Sequence, residues 1–391
     1  MRILLLGALP CLLMAQAQPL TYDDILRRAR TGSEQLRTEA LLAERQLQLQ
    51  ESRGFLRDGP TVSLSAGPRR IPGAPGTTDK TFDLDLPLFL SSQIRADLDR
   101  SFGKAHPLLR EAAQRERVHR LRTAYLDAWL ASKLLELREA DLITVERWLK
   151  SARARFDAGA DPAYQVSLVE GEWLKLQQDL DDARIQQARA WGSLVALADV
   201  SIAPSPLADP GPVPVVYTVD LDRRLQESPL RKALLAQAEM EEQSLRLKQA
   251  VALSRWSLRG SYAQEGEEKV TRFGIAVRLP RPGEGASIRL NTEAQLRASQ
   301  GEARQALADL DARAVAVMSR LEKMPSIKEI PDFSKAIAAI GLRLEEGRER
   351  PSEALPIRRQ LLEAQMASLR RVYAQHLLVS DLQTLLPKVN Q

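Results

Sequence analysis

The chain has 391 residues, a formal net charge of +5, 27% charged residues and only 5% aromatics. Its charges alternate in sign along the segments, which suits solvated helix faces and argues against a nucleic-acid-binding patch. Few aromatics and many charges suit long exposed helices better than one thick core. No segment reaches the roughly 20 consecutive apolar residues of a membrane helix.

Residues 1–17 combine Arg2, a short apolar core and the Ala15-x-Ala17 ending of a cleavable secretory signal, so the mature chain is expected from Gln18. Cys11 is the only cysteine and lies inside that signal. A mature chain without it has neither disulfide nor thiol chemistry. Lipidation at Cys11 stays open, although Pro10 is not the small residue that an anchored cysteine needs before it.

The mature sequence repeats one plan, with a first copy over 18–202, a proline-rich linker over 203–216 and a second copy over 217–391. In the first copy, a helix is predicted from Tyr22 to Leu56, capped by Thr21 with Asp23 and Asp24 in its first turn. A β-hairpin over 61–88 follows. Val62 and Leu64 alternate with serines, and Phe82, Leu84, Leu86 and Leu88 alternate with Asp83 and Asp85. A helix over 91–158, on the order of 100 Å at 1.5 Å per residue, runs to a turn where Gly159 suits a left-handed C-cap. Asp161 is expected as the N-cap and Pro162 as the first position of a return helix to Ala198.

The second copy has its hairpin over 255–280. Trp256, Leu258, Tyr262, Phe273, Ile275, Val277 and Leu279 alternate there with polar residues, glycine or Ala276. Its long helix, 286–346, is interrupted by the prolines at 325 and 331 and ends at Gly347. A return helix runs to about Leu386, with Pro356 expected to interrupt an early turn.

The hairpin strands fit a soluble half-buried sheet or membrane barrel strands, apolar to lipid and polar to the lumen. Four strands cannot close a barrel alone, since the smallest have about eight.

The secretory signal, the duplicated helix–hairpin–long helix–turn–helix unit and the linker together resemble the TolC-type outer-membrane efflux factor family. The most specific local match is Phe156-Asp157-Ala158-Gly159 with Val166, Leu168, Glu170 and Leu174, an aromatic, two residues, glycine and a valine seven positions on. Gly347 with Leu344, Leu355 and Leu361 is its counterpart. The resemblance implies a mainly α chain with a small β part, its helices forming a long coiled-coil barrel. Four strands per chain would complete a 12-stranded transmembrane barrel in a homotrimer. It further implies a periplasmic adaptor (membrane fusion) protein and an inner-membrane pump of RND, ABC or MFS type as partners. It calls for no cofactor and no catalysis. The turns, carried by Phe156, Gly159, Asp161, Pro162, Val166, Gly347, Arg348, Arg350 and Leu355, would dock the adaptor. Six residues beyond each turn glycine, where the family often narrows its tunnel with acidic rings, stand Gln165 and Glu353, the expected gate positions. The proline-broken run makes the second copy the expected moving part.

Asp83, Asp85, Arg255, Arg259, Arg272 and Arg278 are expected in the barrel lumen. Pointing inward unpaired, they favour anions; paired across strands, they neutralise each other. His106, His119 and His376 lie on helices without metal-ligand spacing, and Trp129, Trp148, Trp173 and Trp191 are expected to pack, so no metal site is read. Two rival functions stand beside small-molecule or metal efflux: an outer-membrane channel for type I protein secretion, and a soluble periplasmic coiled-coil scaffold.

Overall fold

The computed structural model describes residues 19–29, 33–52, 59–69, 77–88, 92–199, 205–213, 221–254, 256–265, 268–277, 279, 282–324 and 330–386. The signal segment with Cys11, the hairpin tip 70–76, Arg255, Arg278 and most of the proline segment lie outside them.

Two passes through one element order make the chain. The first comprises α1 (Tyr22–Arg28), α2 (Ser33–Ser52), β1 (Thr61–Arg69), β2 (Thr77–Pro87), α3 (Ser92–Asp157) and α4 (Ala163–Ala198). The second comprises α5 (Leu221–Gln226), α6 (Pro229–Leu253), β3 (Trp256–Glu265), β4 (Glu268–Val277), α7 (Glu284–Lys323), α8 (Ser334–Glu345) and α9 (Pro351–Leu385).

Thr21 caps α1 in a reciprocal box with Asp24, satisfying the donors a helix start leaves unpaired. The helix expected over 22–56 is broken after α1. Ala29 leaves the helical region, and its carbonyl accepts from Arg117 Nη2 at 2.9 Å instead of continuing the ladder. α6 begins where Ser228 caps it and Pro229 takes the first turn. α3 runs through Pro107 without breaking, although the Pro107 ring removes the donor that the Gly103 carbonyl would otherwise receive.

The chain divides into two compact units, neither of which is one sequence copy. The first takes residues up to 32, 116–219 and 316–384; the second takes 33–115, 220–315 and the remainder. One core of the first unit packs Ile25, Leu121, Tyr125, Trp129, Trp191 and Leu194. Another gathers Val145, Trp148, Val169, Leu176, Leu344 and Leu355. The start of the chain is held by the linker: Leu20 forms a parallel bridge with Leu207, and Tyr125 Oη donates to the Leu20 and Ala208 carbonyls at 3.1 and 2.6 Å. Burial pushes the Tyr125 phenol up to about 12, so it stays a donor there.

The second unit packs α2, α3 and α6 through Leu98, Ala105, Met240 and Leu247. It also carries the sheet, antiparallel throughout in the order β1-β2-β3-β4. β1 and β4 are its edges.

Candidate functional site: the two-faced sheet and the paired helical turns

Alternation along four strands of 9, 11, 10 and 10 residues sorts the sheet into two chemically opposite sides. On the polar side Thr61, Asp85, Arg259 and Gly274 form one cross-strand row, and Ser63, Asp83, Ser261 and Arg272 the next. These residues line a single groove. Arg259 Nε meets Asp85 Oδ2 at 3.2 Å, while Ser63 Oγ donates to Asp83 at 3.4 Å. Of the six expected lumen residues, Asp83, Asp85, Arg259 and Arg272 therefore share this side, and at least one acid–base pair forms.

The other side carries Val62, Leu84, Gly260 and Phe273 in one row and Leu64, Phe82, Tyr262 and Thr271 in the next. Leu86, Leu258 and Ile275 extend it toward the helices. A Cβ on Gly260 would stand 3.3 Å from the Phe273 ring, which lies over the missing side chain. Leu64 is 77% exposed, Phe273 83% and Ile275 68%. A soluble protein would bury such a face; among the described residues nothing covers it.

Both helical turns in the first unit use one device. At the end of α3, the Gly159 N–H bonds the Phe156 carbonyl and the Ala160 N–H the Arg155 carbonyl, with Gly159 at φ +72°. At the end of α8, the Gly347 N–H bonds Leu344 and the Arg348 N–H bonds Arg343, with Gly347 at φ +76°. Each is a Schellman motif, and each return helix starts four residues after its glycine.

Arg155 joins the two turns. Its guanidinium pairs with Asp161 at 2.8 Å, donates to the Leu344 carbonyl at 3.2 Å, and stands 2.8 Å from where a Gly347 Cβ would be. Asp161 is thus not the N-cap expected from sequence. Its carboxylate is drawn back to Arg155, and α4 starts from Pro162 without a side-chain cap. Pro162 stands just outside the helix rather than at its first position.

Gln165, one of the two expected gate positions, is fully buried. Its Oε1 accepts from the Ser352 N–H at 3.1 Å and its Nε2 lies 3.3 Å from Ser352 Oγ. It thereby satisfies an unpaired donor at the start of α9. Glu353 is exposed. Pro356 does not interrupt α9, which continues through it.

Among the other turn residues, Phe156, Gly159, Pro162, Gly347, Arg348 and Arg350 are exposed. Leu355 is buried and Val166 is half-buried against the same core. Seven residues beyond Gly347, the spacing of Val166 from Gly159, stands Ala354, which is buried. Tyr164, 54% exposed beside Pro162, escaped the sequence reading because an isolated aromatic carries no period.

Behind the turns lies a group of four charges. Arg358 of α9, only 1% exposed, bonds Asp141 of α3 and Glu172 of α4, and Arg359 also grips Glu172. Burial raises Asp141 despite its arginine. Burial also opposes ionisation of Glu172, but the hydrogen bond from Arg359 and the two arginine charges outweigh it and hold the carboxyl below its ordinary value.

The histidines occupy packed helix positions. His119 lies 3.0 Å from Ser380 Oγ and 3.1 Å from Asp381. Ser380 is 2% exposed within α9, so this serine–histidine–aspartate set has no access to a substrate. His376 meets the Gly211 carbonyl at 3.1 Å, and burial lowers its pKa. Trp129 donates to Asp209 at 2.9 Å and Trp173 lies 3.4 Å from Glu146. Among the described residues no group of three His, Cys, Asp or Glu side chains is placed to hold a metal, and no helix is long and apolar enough to cross a membrane.

The fold, helical with a four-stranded antiparallel sheet, is similar to that of solved outer-membrane channels. The Campylobacter jejuni CmeC outer membrane channel superposes with a TM-score of 0.70 at 12% identity, over 93% of this chain and 85% of that one. The outer membrane protein VceC from Vibrio cholerae gives 0.67 at 15%, over 93% and 95%. A membrane protein from Pseudomonas aeruginosa gives 0.69 at 16%, over 93% and 89%. No curated protein matches the chain in sequence. Residues 58–199 match the family model described as outer membrane efflux protein.

Proposed function

We propose that the chain is the outer-membrane exit duct of a tripartite efflux system, passing small molecules, drugs or metal ions, passively to the exterior. The two-faced sheet carries this reading. Its exposed apolar side suits lipid, its charged side suits a watery lumen, and its strands have the length of tilted barrel strands. The unpaired edges β1 and β4 call for neighbours. Three copies joined β4 to β1 supply twelve strands, enough to close a barrel, with Asp83, Asp85, Arg259 and Arg272 inside.

The exposed turn residues Phe156, Pro162, Tyr164, Arg348 and Arg350 support docking of a periplasmic adaptor, and through it an inner-membrane pump. The Asp85–Arg259 pair favours the neutralised lumen over the anion-selective one. Of the two candidate gate positions, Gln165 is buried and Glu353 is exposed, which supports Glu353 as the one facing the passage. The type I secretion duct is the second reading within the family.

The test is purification in mild detergent, followed by single-channel recording of the reconstituted protein. A trimer with weak ion selectivity is expected. A water-soluble monomer, as a periplasmic scaffold would be, overturns the reading. Phe156→Ala with Arg350→Glu should abolish efflux in cells while leaving the outer-membrane trimer at its normal level.

A further inference from the structure

On the apolar side of the sheet, polarity changes in a single step near the hairpin ends. The row of Leu64, Phe82, Tyr262 and Thr271 is followed by Ala66, Lys80, Gln264 and Lys269. Alternation puts this last row on the same side as the apolar residues, and both lysines are exposed. They lie two strand spacings apart, about 10 Å between their Cα atoms, with the Gln264 amide between them. The nearby acids Asp79 and Glu268 alternate to the opposite side.

A lysine on the lipid-facing side costs about 2–4 kcal/mol at the bilayer midplane and almost nothing near its surface. The row therefore marks the depth at which hydrocarbon gives way to headgroups. On the barrel reading the helices that follow the opposite strand ends lie in the periplasm, so the hairpin end faces outward. Two ammonium groups at that depth are complementary to phosphate oxygens.

We propose that Lys80 and Lys269 form a docking row for the phosphate groups of a phosphorylated glycolipid of the outer leaflet. The inference rests on the outer-membrane barrel reading. Ligand chemistry decides among anionic lipids: a phosphate carried on a bulky sugar sits high at the interface, level with the lysine row and above the Tyr262 and Phe82 rings.

The test uses the full-length protein, delipidated in detergent and first shown to be a trimer that conducts in planar bilayers. Failure at that step refutes the barrel itself. On the conducting trimer, native mass spectrometry counts bound lipid during titration with phosphorylated lipid A, its dephosphorylated form and phosphatidylglycerol. Saturable binding of phosphorylated lipid A is expected, at least tenfold weaker for the dephosphorylated form and for Lys80→Gln/Lys269→Gln, and preserved in Lys80→Arg/Lys269→Arg. Equal binding of the dephosphorylated lipid overturns the proposal, a comparison that needs no variant. Equal binding of phosphatidylglycerol, or complete competition by millimolar inorganic phosphate, overturns the choice of glycolipid.

Discussion

Arg358 is the side chain on which the turn end of the first unit most depends. Fully enclosed, it faces Asp141 and Glu172 from two other helices. Arg358→Ala leaves two buried carboxylates without it and should destabilise the protein by roughly 3–5 kcal/mol in thermal or denaturant unfolding. Arg358→Met combined with Asp141→Leu and Glu172→Leu removes the buried charges together and should recover most of that loss. The pH dependence follows from Glu172. Its folded pKa lies below the ordinary value of 4.5, so the native state binds fewer protons than the unfolded chain in that interval. Its contribution is fully present above about pH 4.5 and is lost as the pH falls through the folded pKa. The melting temperature of Glu172→Gln should therefore fall less steeply than that of the wild type below that pH. Asp141, raised by burial, works in the opposite sense, since its cost sets in as the pH rises through its folded pKa.

At the scale of the element, the two turns look alike in backbone and differ in surroundings. Alanine at either glycine meets a left-handed backbone, worth about 1–2 kcal/mol. At Gly159 the new methyl group enters open space; at Gly347 it stands against the Arg155 guanidinium. Gly347→Ala should therefore destabilise more than Gly159→Ala, and adding Arg155→Ala to the former should narrow the difference. Equal unfolding midpoints for the two glycine variants would count against Arg155 as the joint between the turns. The glycines were legible in the sequence because a positive φ leaves a residue-type signature. The roles of Asp161 and Gln165 were not. Local spacing made Asp161 a cap, but Arg155 lies six residues back, across the turn, and carries a full charge. Gln165 finds its partner 187 positions away, where no local pattern points. The break after α1 was missed for the same reason, since Arg117 satisfies the Ala29 carbonyl from 88 residues away.

For the whole molecule, the strongest signal was again periodic. The side of the sheet on which Phe273, Ile275 and Leu258 lie could be read from alternation alone, and the same count put Asp85 and Arg259 together on the other. What alternation could not give was the register that makes those two neighbours, because register depends on pairing between the copies. The two sides give a direct test. Ile275→Arg on the apolar side should cost about 2–4 kcal/mol if it lies near the bilayer midplane, and trimer recovery from membranes should drop. Ser261→Arg on the polar side should leave recovery close to normal. Similar losses at both positions would count against a lipid-facing side.

The buried charge group also bears on how the two copies depend on each other. Asp141 and Glu172 belong to the first copy, while the arginine between them comes with α9 in the second. In the first copy alone, Arg138 and Lys175 act on these two acids, whose approach is opposed by mutual repulsion and loss of water. Residues 358 and 359 add two further counter-charges, so the first helical pair should close more tightly once the second copy is in place. The duplication thus ties the packing of one half to the presence of the other.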